Sequence, residues 1–114
     1  MSKRDARLYL EDIRTAIEKI EAYTKGLSFK EFAKNLLVID AVVRNFGIIG
    51  EAANNIPAEI KEKYAAVPWG EAMGMRNKVV HEYWGIDEET LWKTIREDLP
   101  ALKKHIEAIE RESK

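Results

Sequence analysis

Apolar residues recur every three to five positions along most of the chain, the period of helices that bury one face. Between Asp5 and Lys25 the pattern is carried by Leu8, Ile13, Ala16, Ile17 and Ile20, and Gly26 is its natural stop. Ser28 followed by Glu31 forms a capping box. It opens a segment whose apolar positions, Phe32, Leu36, Ile39, Val43, Phe46 and Gly50, cover much of a helix circumference. A helix of that kind packs on more than one side, so Phe29 to about Asn54 is the expected central element. Ile56-Pro57 ends it, and Ala58 to Tyr64 reads as a short helix with Pro57 near its first turn. After the break at Val67-Pro68, Trp69 to about Trp84 is the next helix, weakened by Gly70 and Gly74 and closed by Gly85. Asp87 is the expected N-cap of a last stretch through Leu91, Ile95, Leu99, Leu102, Ile106 and Ile109, which Pro100 kinks or splits. No segment alternates as a strand would, and no internal repeat is present. The pattern predicts an all-α fold, an up-down bundle of four to five helices in a single domain spanning 1–114.

Composition narrows the function. A chain of 114 residues has room for one core, and 46% hydrophobic with 34% charged residues is a globular balance with a heavily charged surface. The net charge of -1 offers a polyanion no overall attraction, so any nucleic-acid contact must be local. The cluster Lys3, Arg4 and Arg7 reads as a solvated chain start. With no cysteine, disulfides and thiolate metal sites are excluded. The apolar run Leu36 to Ile39 stops at Asp40, far short of a membrane span, and no signal-peptide core follows the polar start. A cytoplasmic protein with no membrane partner is expected.

The chemistry concentrates in Arg76-Asn77-Lys78-Val79-Val80-His81-Glu82-Tyr83. On a helical wheel, Trp69, Ala72, Met73, Met75, Val79, Val80, Tyr83 and Trp84 fill about half the circumference, with Arg76 near the middle and Asn77 and His81 on the border. A guanidinium on an apolar face keeps its charge and must find a carboxylate, a phosphate or water. One answer is purely structural: Arg76 pairs with a carboxylate such as Glu51, and His81 is an ordinary border histidine. The other is catalytic, because imidazole moves protons near neutral pH and guanidinium binds phosphate oxygens through paired hydrogen bonds. Five positions separate Arg76 from His81, about 140° around a helix and about 7.5 Å along it, so the two diverge within one chain. Asn77 and His81, four apart, share a face, and Asn77 is placed to orient the imidazole or hold a substrate oxygen. A two-fold dimer in which this helix meets its copy is one way to bring arginine and histidine together. Arg44 and Glu51, seven apart, share a face of the central helix that can deliver Glu51 toward Arg76; both are read as supporting residues. His105, among Lys103, Lys104 and Glu107, reads as a solvated histidine.

The sequence Arg76-Asn77, three further residues, then His81-Glu82-Tyr83 resembles the Arg-x4-His-x-Tyr signature of the HepT-like branch of the HEPN superfamily. Val43-Arg44-Asn45-Phe46, Ile49-Gly50-Glu51-Ala52-Ala53, Ile56-Pro57, Pro68-Trp69, Gly85-Ile86-Asp87 and Asp98-Leu99-Pro100 resemble further landmarks of that family in order, over roughly Asp5 to Ile109. The resemblance implies a helical homodimer whose arginines and histidines line a shared cleft and cleave RNA without metal or other cofactor. It places the catalytic roles on Arg76 and His81, with a 2′-hydroxyl attacking the adjacent phosphorus and a 2′,3′-cyclic phosphate as product. It also implies the toxin half of a toxin-antitoxin pair, whose partner, a small MntA-like nucleotidyltransferase, transfers AMP to the motif tyrosine, here Tyr83. The competing expectation is a non-catalytic module that docks a nucleotidyltransferase or presents nucleotide to it. Near-zero net charge favours that module, and the intact Arg76, His81 and Tyr83 favour the ribonuclease.

Overall fold

The computed structural model describes residues 5–82 and 87–112, with 77–82 described as backbone only. The described residues are helical throughout their regular structure: α1 Ala6–Thr24, α2 Phe29–Lys34, α3 Leu36–Asn55, α4 Ala58–Lys63, α5 Trp69–Glu82, α6 Glu88–Lys93 and α7 Leu99–Glu112. A π-helical turn, Thr94–Asp98, joins α6 to α7. The four long helices form the bundle: α3 packs against both α1 and α5, and α1 packs against α7. Short α2 lies against α3 and α6.

Local chemistry explains most boundaries. Asp5 caps α1 by accepting from the Arg7 amide, and Gly26, at φ +79°, takes the left-handed turn that stops it. Ser28 and Glu31 exchange hydrogen bonds as a capping box on α2. Asp87 accepts from the amides of Glu89 and Thr90 at the start of α6. The bond donated by the Trp69 indole to the Tyr64 carbonyl, 3.1 Å, fixes the turn into α5.

Three expectations are corrected. The segment Phe29 to Asn54 is not one helix, because the chain leaves helical geometry at Asn35, φ -100° and ψ 89°, whose side chain accepts from the Val38 amide and caps α3 anew. In the first turns of α1 the buried leucine is Leu10, and Leu8 is exposed. The break lets α2 turn away and bury Phe32, whose ring lies 5.0 Å from that of Trp92. Pro100 does not split the last stretch, which stays helical through it. It has no amide to offer Arg96, and the register slips by one so that the Leu99 amide donates to Thr94, five residues back.

The core is continuous across these helices. Ile13, Ile17 and Ile20 of α1, Val42, Phe46 and Ile49 of α3, Ala72 and Met75 of α5, and Leu102 and Ile106 of α7 are all buried. Burial of this order, at about 25 cal/mol per Å² of apolar surface, is the main term holding the bundle. Two large leucines, Leu36 and Leu37, stay 73% and 81% exposed at the start of α3. No helix among the described residues is long and apolar enough to cross a membrane.

Candidate functional site

Helix α5 crosses α3 at a glycine. A methyl group on Gly50 would lie 2.6 Å from Cβ and 2.7 Å from the amide nitrogen of Arg76, so only glycine admits α5 at this separation. That contact sets where the arginine begins. Trp69, Ala72 and Met75 turn into the core, as the wheel expected, while the Arg76 stem lies over α3 and carries its charge out to solvent. One residue beyond Gly50, the Glu51 carboxylate accepts from Arg76 Nη1 at 2.8 Å. Both side chains remain more than half exposed, at 58% for Arg76 and 56% for Glu51. The arginine is therefore paired with a carboxylate and still more than half open to solvent.

A groove lies on each side of this bridge. Between α3 and α5, a cavity of about 280 Å³ is lined by Gly50 and Asn54 of α3 and by Gly70, Met73, Gly74 and Arg76 of α5. Between α1 and α3, a second of about 300 Å³ runs past Tyr9, Asp12, Arg44 and Ile48 to Glu51. Arg44 and Glu51 lie on the same exposed face of α3, as their spacing predicted. Arg44 makes no ion pair with any described residue, whereas exposed Arg7 is held by Asp5 at 2.8 Å and half-buried Arg14 by Glu110 at 2.8 Å.

The structure brings together Arg76, Glu51 and, two turns along α3, Arg44. Positions 77 and 81 belong to the continuous backbone of α5, and positions 76 and 81 stand about 140° apart around its axis. The side chains of Asn77 and His81, and the whole of Tyr83, lie outside the described residues. His105 is half-buried on α7, which packs on α1, so it is less solvated than its charged neighbours suggested. Sequence reasoning missed Asn54, Tyr9 and Asp12. No motif marks them, and they join the grooves only through the packing of two helices.

Comparison with known proteins gives the family. Residues 13–109 match the model of the family described as "Ribonuclease HepT-like". The chain is 41% identical over 109 residues to "Putative RNase MJ1380" of Methanocaldococcus jannaschii, covering 96% of this chain and 100% of that one. It is 44% identical over 107 residues to "Probable ribonuclease HepT" of Thermococcus cleftensis, covering 94% and 97%. No solved structure gives a significant match. The chain belongs to the HepT-like ribonuclease family, and ribonuclease is the enzyme class to which that membership assigns it.

Proposed function

We propose that this chain is a metal-independent endoribonuclease, the toxin of a cytoplasmic toxin-antitoxin pair, and that its active site is a cleft shared by two copies. The observation that carries the reading is Arg76: an exposed guanidinium, oriented by Glu51 at 2.8 Å beside an open groove, in a chain of the HepT-like family. An RNA phosphate takes the free edge of that guanidinium. His81 removes the proton of the neighbouring 2′-hydroxyl, whose oxygen bonds to phosphorus as the bond to the 5′-oxygen breaks. A second protonated His81, or the same one in turn, returns a proton to the departing 5′-oxygen. Arg76 stabilises the charge that builds on the phosphorane oxygens, and the products are a 2′,3′-cyclic phosphate and a 5′-hydroxyl. Asn77 orients the imidazole, and Arg44 and Glu51 support the substrate and the arginine. No water nucleophile or metal enters this sequence of steps.

The dimer is supported by the helix itself. Positions 76 and 81 diverge on one continuous α5, so the arginine of one copy works with the histidine of the other. Regulation by an MntA-like nucleotidyltransferase completes the proposal: the Tyr83 phenol oxygen attacks the α-phosphorus of ATP, pyrophosphate leaves, and the AMP adduct adds negative charge next to the cleft and repels RNA.

The test is cleavage of mixed RNA by the purified chain in the presence of a chelator, beside a His81→Ala variant. Wild type is expected to produce fragments ending in cyclic phosphate, and the variant is not. Equal absence of cleavage from both would refute the ribonuclease reading and leave a docking module, for which the Arg76–Glu51 pair is structural. Mass spectrometry after incubation with the nucleotidyltransferase and ATP reads the predicted adduct on Tyr83.

A further inference from the structure

We infer that the α1/α3 groove is a subsite for the nucleotide next to the scissile phosphate, with Arg44 as its phosphate contact; this rests on the ribonuclease reading above. The groove meets the catalytic region at Glu51, which lines it and at the same time holds Arg76 at 2.8 Å. A strand whose phosphate sits on Arg76 thus crosses Glu51 and enters the groove without leaving the surface. Arg44 stands two turns of α3 before Glu51, about 10.5 Å along the axis. It is exposed, and among the described residues no carboxylate neutralises it. An unpaired guanidinium beside a cavity on a chain of net charge -1 is a local anion contact of the sort that its overall charge does not supply.

The rest of the lining suits a base. Ile48 and the open backbone at Gly47 form an apolar floor, and Tyr9 supplies an aromatic wall. Asn55 lines the same groove; its Nδ2 donates to the Glu51 carbonyl, which leaves Oδ1 as an acceptor of the kind that reads an exocyclic amino group on an unpaired base. At about 300 Å³ the space is at the lower end of small-ligand pockets, the scale of one nucleotide rather than a helix or a protein loop. Single-stranded RNA is the class of substrate that fits, because its bases are free to turn into a side pocket.

Gly47 makes the proposal testable without damage to the fold. A methyl group built there meets nothing within 4 Å, so a larger side chain fills the groove rather than the core. Gly47→Leu and Arg44→Ala are compared with wild type and with Arg111→Ala, on the far helix α7. Cleavage of a fluorogenic mixed-sequence RNA gives kcat and KM. Fluorescence anisotropy in the His81→Ala background gives affinity without turnover, and melting confirms that each variant folds. Gly47→Leu and Arg44→Ala are expected to raise KM and weaken binding about tenfold with kcat within about threefold of wild type. Arg44→Ala also lowers the slope of log affinity against log salt by about one, and Arg111→Ala changes none of these. Normal binding and KM in both groove variants, with wild type cleaving RNA, would overturn the subsite and leave the ribonuclease intact. A Gly47→Leu chain that loses only its self-association would assign the groove to a second copy and overturn it equally. Wild type that fails to cleave, matching His81→Ala, refutes the ribonuclease reading instead.

Discussion

Replacing Gly50 by alanine adds one methyl group at the point where α5 touches α3. That methyl would sit 2.6 Å from Cβ, 2.7 Å from the nitrogen and 3.1 Å from Cα of Arg76, where ordinary carbon contacts fall near 3.5–4.0 Å. Two of the three atoms belong to the backbone and none is the free end of a side chain, so the helices must separate by about 1 Å. Overpacking of this kind costs roughly 1–3 kcal/mol. Removing a glycine from a helix interior returns about 1 kcal/mol, which leaves a net loss of up to about 2 kcal/mol. For a domain of this size the loss is up to about 8 °C in Tm. Gly47→Ala, three residues earlier on the same helix, meets nothing within 4 Å and is expected to raise stability by up to about 1 kcal/mol. Thermal and urea unfolding of the two variants therefore move in opposite directions. Gly50→Ala is also expected to lose about a hundredfold in RNA cleavage well below its Tm, since a 1 Å displacement of Arg76 is enough to spoil its alignment. A Gly50→Ala protein that gains as much stability as Gly47→Ala would refute the close-approach argument.

Glu51→Ala is expected to change stability by less than about 1 kcal/mol, because the bridge is exposed and screened by solvent, yet to lower kcat about tenfold through a less ordered Arg76; equal kcat in variant and wild type would contradict it. The same substitution in an Arg76→Ala background should cost no further stability, as a double-mutant cycle by urea unfolding will read. Asn35→Ala removes the cap that starts α3 and should cost about 1 kcal/mol by urea unfolding, with the slope unchanged. The backbone amide and hydroxyl of Ser28 hold the Glu31 carboxyl below its ordinary 4.5. Its contribution is complete above that value and is lost as pH falls through the lower folded pKa, so the Tm gap between wild type and Glu31→Gln should close on acidification and not on raising pH.

Much of the fold was legible because its punctuation is local. Ser28 with Glu31, Gly26 and Asp87 each act through atoms within a few residues, and each does in the structure what its identity predicts. The break at Asn35 was not legible. Phe32, Leu36 and Ile39 keep helical spacing across it, so periodicity cannot register that the axis changes direction there. The π turn before Pro100 was equally hidden, since the sequence shows the missing amide but not whether the helix stops or shifts its hydrogen bonds. In the site, the pairing of Arg76 with Glu51 followed from charge on an apolar face and from helical spacing. What makes that pairing close is Gly50, and a glycine in a helix does not announce its neighbour. The grooves are properties of two helices at once, which no single-segment pattern encodes.

The central claim is that Arg76 on α5 is half of a site completed by the histidine of a second copy. Mixing Arg76→Ala and His81→Ala chains, each inactive alone, tests it directly. If the site is shared, half of randomly paired dimers are mixed and each carries one intact arginine–histidine combination, so about a quarter of wild-type cleavage should return. If mixing restores nothing while exchange of subunits is confirmed by a tag, each chain carries its own complete site and the shared cleft is wrong.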